Sequence, residues 1–443
     1  MIIFQNYRAE MARVPKGVLL LLVSYCLIIF GSPMPPRVTW VEIAMGIGLL
    51  LGGIILICPI LREAYKQSLS RMSLVLMSLL FIAPSIIGLV HKHELAYIAR
   101  DIFPLAFLLF IPILFLFSAN STNLAALRKL TVSALVLVGV FAAITFFVGT
   151  INEAGSTEQM FKMVRGGFGM LEATQAAQET QKQESEMLEH LNRIRTYFLK
   201  LYDPSMIFAA IFLCSWGIVF MARSWSTWLL GAVLAATGAF FAYGFMILGL
   251  RAYTVFFVLA ITTICLLLRK DRGLYVRFMP FFLLACAALA TQIYPLFHLL
   301  WVKQQMVGFN GKTEEWLAVL AALRADPWAL FFGTGWGAIL ENPILLGLPT
   351  RFTHSLLSFY LLKTGIVGLV TLFAILVALW VRARQISDFQ PRSISRTIII
   401  VSCVPPLLIG VLFEPSYKML SFGFILALFI LSLASTKNES RIV

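Results

Sequence analysis

One histidine and four arginines carry most of the reactive potential of this sequence. His354 lies in Thr353-His354-Ser355-Leu356-Leu357, at the head of an apolar run. A neutral imidazole can accept a proton from a hydroxyl near neutral pH, which few other side chains manage without a shifted pKa. Arg251 sits in Leu250-Arg251-Ala252, a minimal connector between two long apolar runs, and Arg193, Arg195 and Arg351 also precede such runs. A guanidinium presents five donors in a planar fork, a shape that suits the oxygens of a phosphate or diphosphate. Each residue also has a plainer reading: an arginine beside an apolar run can anchor to lipid phosphate, and a lone histidine there can be an interfacial polar residue. His91 and His93, crowded with Lys92 and Glu94 into one short loop, fit the plainer reading, and His190 falls on a polar helix face.

The elements that must position these residues are membrane spans. Of the 443 residues 60% are hydrophobic and 13% charged, and the mean hydropathy is +0.89, far from the roughly 25% charged usage of soluble domains. The apolar runs are long enough to cross a bilayer and recur along the whole chain, leaving no room for a separate soluble domain. We place about twelve spans, at 15–31, 38–60, 73–90, 102–118, 131–149, 205–222, 227–249, 252–268, 278–300, 356–381, 397–413 and 419–434. Arg8, Arg13 and Lys16 precede the first run, but no small-residue cleavage pattern follows it, so that span is expected to stay. The six cysteines all fall within apolar runs and act as small hydrophobes, so no disulfide framework, metal cluster or cofactor is implied.

An even number of spans puts both termini on one side. Arg62, Lys66 and Arg71, then Arg128 and Lys129, then Arg269, Lys270, Arg272 and Arg277, then Arg382, Arg384, Arg392 and Arg396 fall in the loops that an inside N-terminus makes cytoplasmic. Much of the net charge of +14 is thereby explained by the lipid bilayer, and nucleic acid is not needed as a partner. The expected organisation is one integrated membrane domain: five spans in 1–150, an outer loop over 151–204, four spans in 205–300, a second outer loop over 301–355 and three spans in 356–443. Both loops are on the order of fifty residues, too long for simple connectors.

In the first loop Met187, Leu191, Ile194, Phe198 and Leu201 recur at helical spacing, making an amphipathic helix that enters the membrane near Asp203-Pro204. The second carries Lys312, Glu314, Glu315 and Trp316, a helical stretch to Leu323, Asp326-Pro327 and then Gly333, Gly335 and Gly337. Glycine at alternate positions predicts a backbone that turns tightly or lets a ligand approach. Ion-driven transporters usually keep an ionisable residue at mid-membrane depth. None stands near the centre of a span here: Glu42 and Lys363 lie toward span ends, where snorkelling accounts for them, and His298 lies near an outer end.

Asp326-Pro327, Gly333-Thr334-Gly335-Trp336-Gly337, His354, Leu357, Gly365 and Gly368 together resemble the signature of the O-antigen ligase and polymerase superfamily. In that family a Trp-containing helix and a Gly-x-Gly turn lead to a His-Asn opening a span. Arg193-Ile194-Arg195 before Asp203-Pro204-Ser205 resembles its Arg-containing segment, and Arg251-Ala252 its Ser-Arg-Gly. The resemblance covers roughly the C-terminal 250 residues; the first five spans match in hydropathy alone. Ser355 and Ser205 replace family asparagines, and Leu250 stands where serine is common.

The resemblance implies a metal-independent membrane glycosyltransferase of GT-C-like, all-α polytopic architecture, with its site on the periplasmic face of a bacterial inner membrane. The donor would be a glycan on undecaprenyl diphosphate, and the acceptor another lipid-linked glycan or a lipid A-core. Polysaccharide-assembly proteins would be possible partners. His354 and Arg251 would be catalytic, Arg193, Arg195, Arg251 and Arg351 would hold the diphosphate, and Gly333, Gly335 and Gly337 would shape the loop. The same residues suit the chemistry directly, because a diphosphate is already a competent leaving group and what remains is positioning and charge stabilisation. A polymerase is preferred to a ligase. A twelve-span secondary transporter or lipid-linked-sugar flippase, and a non-enzymatic scaffold, are the alternatives from other classes.

Overall fold

The computed structural model describes residues 68–118, 124–154, 202–247, 250–268, 312–343, 348–386 and 394–433, with isolated positions before residue 53. These residues are almost wholly helical, the conformation that satisfies every backbone N–H and C=O within a single apolar segment. The helices are α1 (Ser68–Val90), α2 (Leu95–Ser118), α3 (Leu124–Ala154), α4 (Pro204–Arg223), α5 (Trp228–Ile247), α6 (Arg251–Leu268), α7 (Lys312–Arg324), α8 (Pro327–Phe332), α9 (Leu356–Ile386), α10 (Ile394–Leu412) and α11 (Leu420–Leu433). A short hairpin of β1 (Leu340–Asn342) and β2 (Leu348–Thr350) precedes α9, and a 3-10 turn, Pro415–Lys418, joins α10 to α11. Among the described residues seven helices, α1, α3, α4, α5, α6, α9 and α10, are long and apolar enough to cross a membrane. The fold is that of a multi-pass α-helical membrane protein. The expected spans at 15–31, 38–60 and 278–300 lie outside the described residues apart from isolated positions; of the other nine, seven fall on these helices, while 102–118 and 419–434 fall on α2 and α11, which are not among the seven.

The chain divides into two compact units, one of Met1–Leu22, Leu49–Ala134 and Gln304–Val443, the other of Val23–Gly48 and Leu135–Lys303. In the second unit, Asp203 caps α4 by accepting from the Ser205 N–H at 2.9 Å, with Pro204 in the first turn where its missing N–H is harmless. Gly217 on α4 and Gly231 and Gly238 on α5 let the two backbones approach so closely that a Cβ at any of them would meet the facing helix. The connector after α5 is as short as the sequence implies: the Leu250 N–H returns to the Phe245 carbonyl at 2.9 Å and Arg251 opens α6.

In the first unit α1, α7 and α8 pack on α9, and α2 and α10 pack on α11. Asp326 caps α8 through the Trp328 N–H at 2.9 Å, with Pro327 next, repeating the Asp-Pro device of α4. α9 breaks at Gly365, whose φ is +62°. A break strands carbonyls of the preceding turn, which then need other donors. The glycine loop supplies them: Thr334 donates its N–H and its hydroxyl to the Leu362 carbonyl, both at 2.9 Å, and the Gly335 N–H reaches the Lys363 carbonyl at 3.0 Å. On its other side the Trp336 N–H bonds the Pro84 carbonyl of α1 at 3.0 Å. The loop is thus wedged between α1 and α9, with Gly333, Gly335 and Gly337 all at positive φ.

Gly335 carries the sharpest constraint, since its φ is +85° and a Cβ there would meet the backbone of Gly88. Gly335→Ala is expected to lose about 1–2 kcal/mol from backbone conformation alone, and more from displacing α1. Thermal unfolding of the purified variant in detergent should fall by several degrees.

Candidate functional site

On α7, Glu315, Val319 and Leu323 recur every fourth residue and all three are buried, so a carboxylate occupies a stripe otherwise packed into the core. A buried charge must be paired and hydrogen-bonded. Glu315, 2% exposed, is held by three donors: Oε2 accepts the His354 backbone N–H at 2.9 Å, and Oε1 accepts His354 Nδ1 at 2.9 Å and the Asn342 amide at 2.6 Å. The hairpin positions Asn342, whose Cα pairs with Leu348. An ionised carboxylate can only accept, so Nδ1 is the donor here, and in the neutral imidazole that tautomer leaves the lone pair on Nε2. His354 is 16% exposed, so that lone pair belongs to a side chain within reach of a ligand. A base oriented by a buried carboxylate is the arrangement that proton abstraction from a hydroxyl requires.

The backbone around His354 is equally fixed. Ser355 caps α9, its hydroxyl accepting the Ser358 N–H at 3.1 Å and pairing with the Ser358 hydroxyl at 2.7 Å. Serine is as good an N-cap as asparagine, so Ser355 fills that structural role. The Tyr417 hydroxyl, from the turn between α10 and α11, donates to the Thr353 carbonyl at 3.0 Å, and burial pushes its pKa well above the usual range.

A second buried cluster lies in the same unit. Lys363 on α9 is fully buried; its ammonium pairs with Asp101 Oδ2 on α2 at 2.8 Å and donates to the Ala338 carbonyl. The same carboxylate oxygen accepts the Gly337 N–H at 2.8 Å, while Arg351 stands 4.0 Å from the other oxygen and stacks over Tyr97 at 4.7 Å. Lys363 therefore does not snorkel as its place near a span end implies. Its ammonium turns inward because Asp101 and the Ala338 carbonyl, just after the glycine loop, satisfy it there. His91 and His93 brace that loop, facing the carbonyls of Thr334 at 3.3 Å and Trp336 at 3.0 Å.

Lys418 closes this end of the unit. Its ammonium lies over the rings of Phe352 at 4.4 Å, Phe359 at 5.0 Å and Tyr417 at 6.0 Å. Burial pushes its pKa down to about 7; Asp101 and Glu315 hold it up in part, while Lys363 and Arg351 press it further down.

Of the residues singled out in the sequence, the structure gathers His354, Arg351, Gly333, Gly335 and Gly337 in one unit. Arg251 belongs to the other unit, half-buried at the start of α6, and Arg193 and Arg195 lie outside the described residues. Asn342, Asp101, Tyr417 and Lys418 are partners that the linear reading did not name, and Glu315 and Lys363 are ones it named without this role. Glu315 had a signal, its register with Val319 and Leu323 on the apolar face of α7. Among the described residues no three His, Cys, Asp or Glu side chains are grouped to hold a metal ion. Comparison with family models, with curated proteins and with solved structures returned no match.

Proposed function

We propose that this protein is a glycosyltransferase of the bacterial inner membrane that uses a glycan on undecaprenyl diphosphate as donor at its periplasmic face. The observation that carries the reading is the Glu315–His354 pair, a buried carboxylate holding a part-exposed imidazole with Nε2 free to act as base. In the reaction the acceptor hydroxyl attacks the anomeric carbon and its proton passes to Nε2 of His354. The new glycosidic bond forms as the bond from that carbon to the diphosphate oxygen breaks, and undecaprenyl diphosphate leaves. Nearby cations offset the charge gained by the leaving group. Arg351 is one such cation; the resemblance alone assigns diphosphate-holding roles to Arg251, Arg193 and Arg195 as well.

Whether the acceptor is another lipid-linked glycan or a lipid A-core decides between polymerase and ligase, and polymerase is preferred. In a deletion strain a polymerase defect gives surface lipid capped with single repeat units, whereas a ligase defect leaves long glycan unattached to its acceptor. Normal surface polysaccharide of every kind would remove the reading.

The periplasmic placement has its own test. In a cysteine-free background a cysteine at Glu341, exposed on β1, should react with a membrane-impermeant thiol reagent in intact spheroplasts, and one at Ser387 should not. The opposite pattern would invert the protein. The transporter reading has one observation in its favour, the buried Asp101–Lys363 pair. Oδ2 of Asp101 already accepts the Gly337 N–H and the ammonium also donates to the Ala338 carbonyl, which gives the pair a bracing task.

A further inference from the structure

We propose that Lys418 is an anion-holding residue of this site, whose ammonium takes a phosphate oxygen of the polyprenyl diphosphate donor beside His354. The inference rests on the functional reading above and adds a residue to it. An ammonium carries three N–H donors. Ring faces attract its charge but give those donors no lone pair of the ordinary kind. Among the described residues no carboxylate or carbonyl lies within hydrogen-bonding or ion-pair distance of it.

The neighbouring charges are committed elsewhere. Asp101 is taken by Lys363 and the Gly337 N–H, Glu315 by His354 and Asn342, and Glu414 by Lys312 at 3.4 Å. The groups acting on Lys418 are Asp101 from α2, Lys363 from α9, Glu315 from α7 and Arg351 from the loop before α9, with Tyr417 beside it. With Lys418 charged, three cations stand against two carboxylates, a positive excess that an anion would balance. The place for that anion is beside the base, because the Phe352 ring lies 4.4 Å from the Lys418 ammonium and 5.8 Å from the His354 ring.

A charge held this way responds to pH. With burial holding its pKa at about 7, Lys418 is charged below neutrality and progressively neutral above it. Only the charged form attracts a diphosphate, so binding is tightest below pH 7 and weakens above it, and binding near pH 8 takes up a proton. Arginine in its place would stay charged throughout.

The test measures undecaprenyl diphosphate binding to the full-length protein in phosphatidylcholine nanodiscs between pH 6 and 9. Wild type, Lys418→Met and Lys418→Arg are compared, each repeated with His354→Gln so that the imidazole cannot supply the pH dependence. Wild-type affinity is expected to fall by up to about tenfold per pH unit above pH 7. Lys418→Arg should bind tightly with a flat profile, and Lys418→Met should bind at least tenfold more weakly at pH 6. If Lys418→Met does not fold, the flattened profile of Lys418→Arg carries the test alone.

Inorganic diphosphate should compete with the lipid, whereas phosphatidylglycerol should not. Competition by phosphatidylglycerol as strong as that by diphosphate would assign Lys418 to lipid headgroups and overturn the donor role. A wild-type pH profile in Lys418→Arg, or undiminished binding in Lys418→Met, would leave Lys418 as a packing residue. Failure of wild type to bind at any pH would instead remove the functional reading itself.

Discussion

His354→Ala is expected to lower turnover by about 10²–10⁴-fold, the usual loss when a general base is removed, while donor affinity stays within a few-fold of wild type. The reason is charge. A neutral imidazole adds little attraction for a diphosphate, whereas its Nε2 lone pair is what the attacking hydroxyl needs. Glu315→Gln should reproduce much of the loss without touching the substrate. The amide can donate to Nδ1 from its nitrogen, which favours the tautomer with the proton on Nε2, where the base must be free. Donor affinity and turnover measured separately on purified protein in nanodiscs check both. Near-normal turnover in His354→Ala would reduce the histidine to a structural residue, and donor binding lost in proportion to turnover would place it on the donor.

The largest effect on stability is expected from Lys363→Met. The substitution removes the ammonium and leaves the Asp101 carboxylate buried with the Gly337 N–H and a distant Arg351. Breaking a buried pair by one partner costs about 3–5 kcal/mol, whereas replacing both partners is often close to neutral. Lys363→Met should therefore fail to accumulate or should unfold well below wild type in detergent. Asp101→Asn with Lys363→Met should recover most of the loss. The pair joins α2, the glycine loop and α9, and the loop precedes the segment that ends in His354, so stability and turnover should fall together in the single variant. A single variant as stable as wild type would mean that the pair does not brace this end of the unit.

Much of this frame is legible in the residues. Asp203-Pro204 and Asp326-Pro327 each mark a helix start because aspartate accepts from the first free N–H and proline needs none. The alternate glycines at 333, 335 and 337 announce a backbone that only glycine adopts, and all three have positive φ. The partners of His354 are harder to read, because pairing across the fold leaves no spacing in the chain. Glu315 stands within a charged run, Lys312 to Glu315, that reads as a solvated helix start; only its register with Val319 and Leu323 turns it inward. Lys363 reads as a snorkelling residue until Asp101 is seen to face it from another helix. Lys418 hides in a short turn after Pro415, where a lysine looks like ordinary loop charge.

The central claim, that the Glu315–His354 pair drives glycosyl transfer from a lipid-linked diphosphate donor, is met most directly by reconstitution. Purified protein in sealed vesicles is given the lipid-linked glycan and its acceptor, and the released undecaprenyl diphosphate and extended glycan are quantified together with any movement of donor between leaflets. The account predicts equal amounts of extended glycan and released undecaprenyl diphosphate from wild type, little from Glu315→Gln or His354→Ala at the same folded level, and no net movement of donor between leaflets. Movement of donor without release, unchanged in Glu315→Gln and His354→Ala, would contradict it and make the protein a transporter.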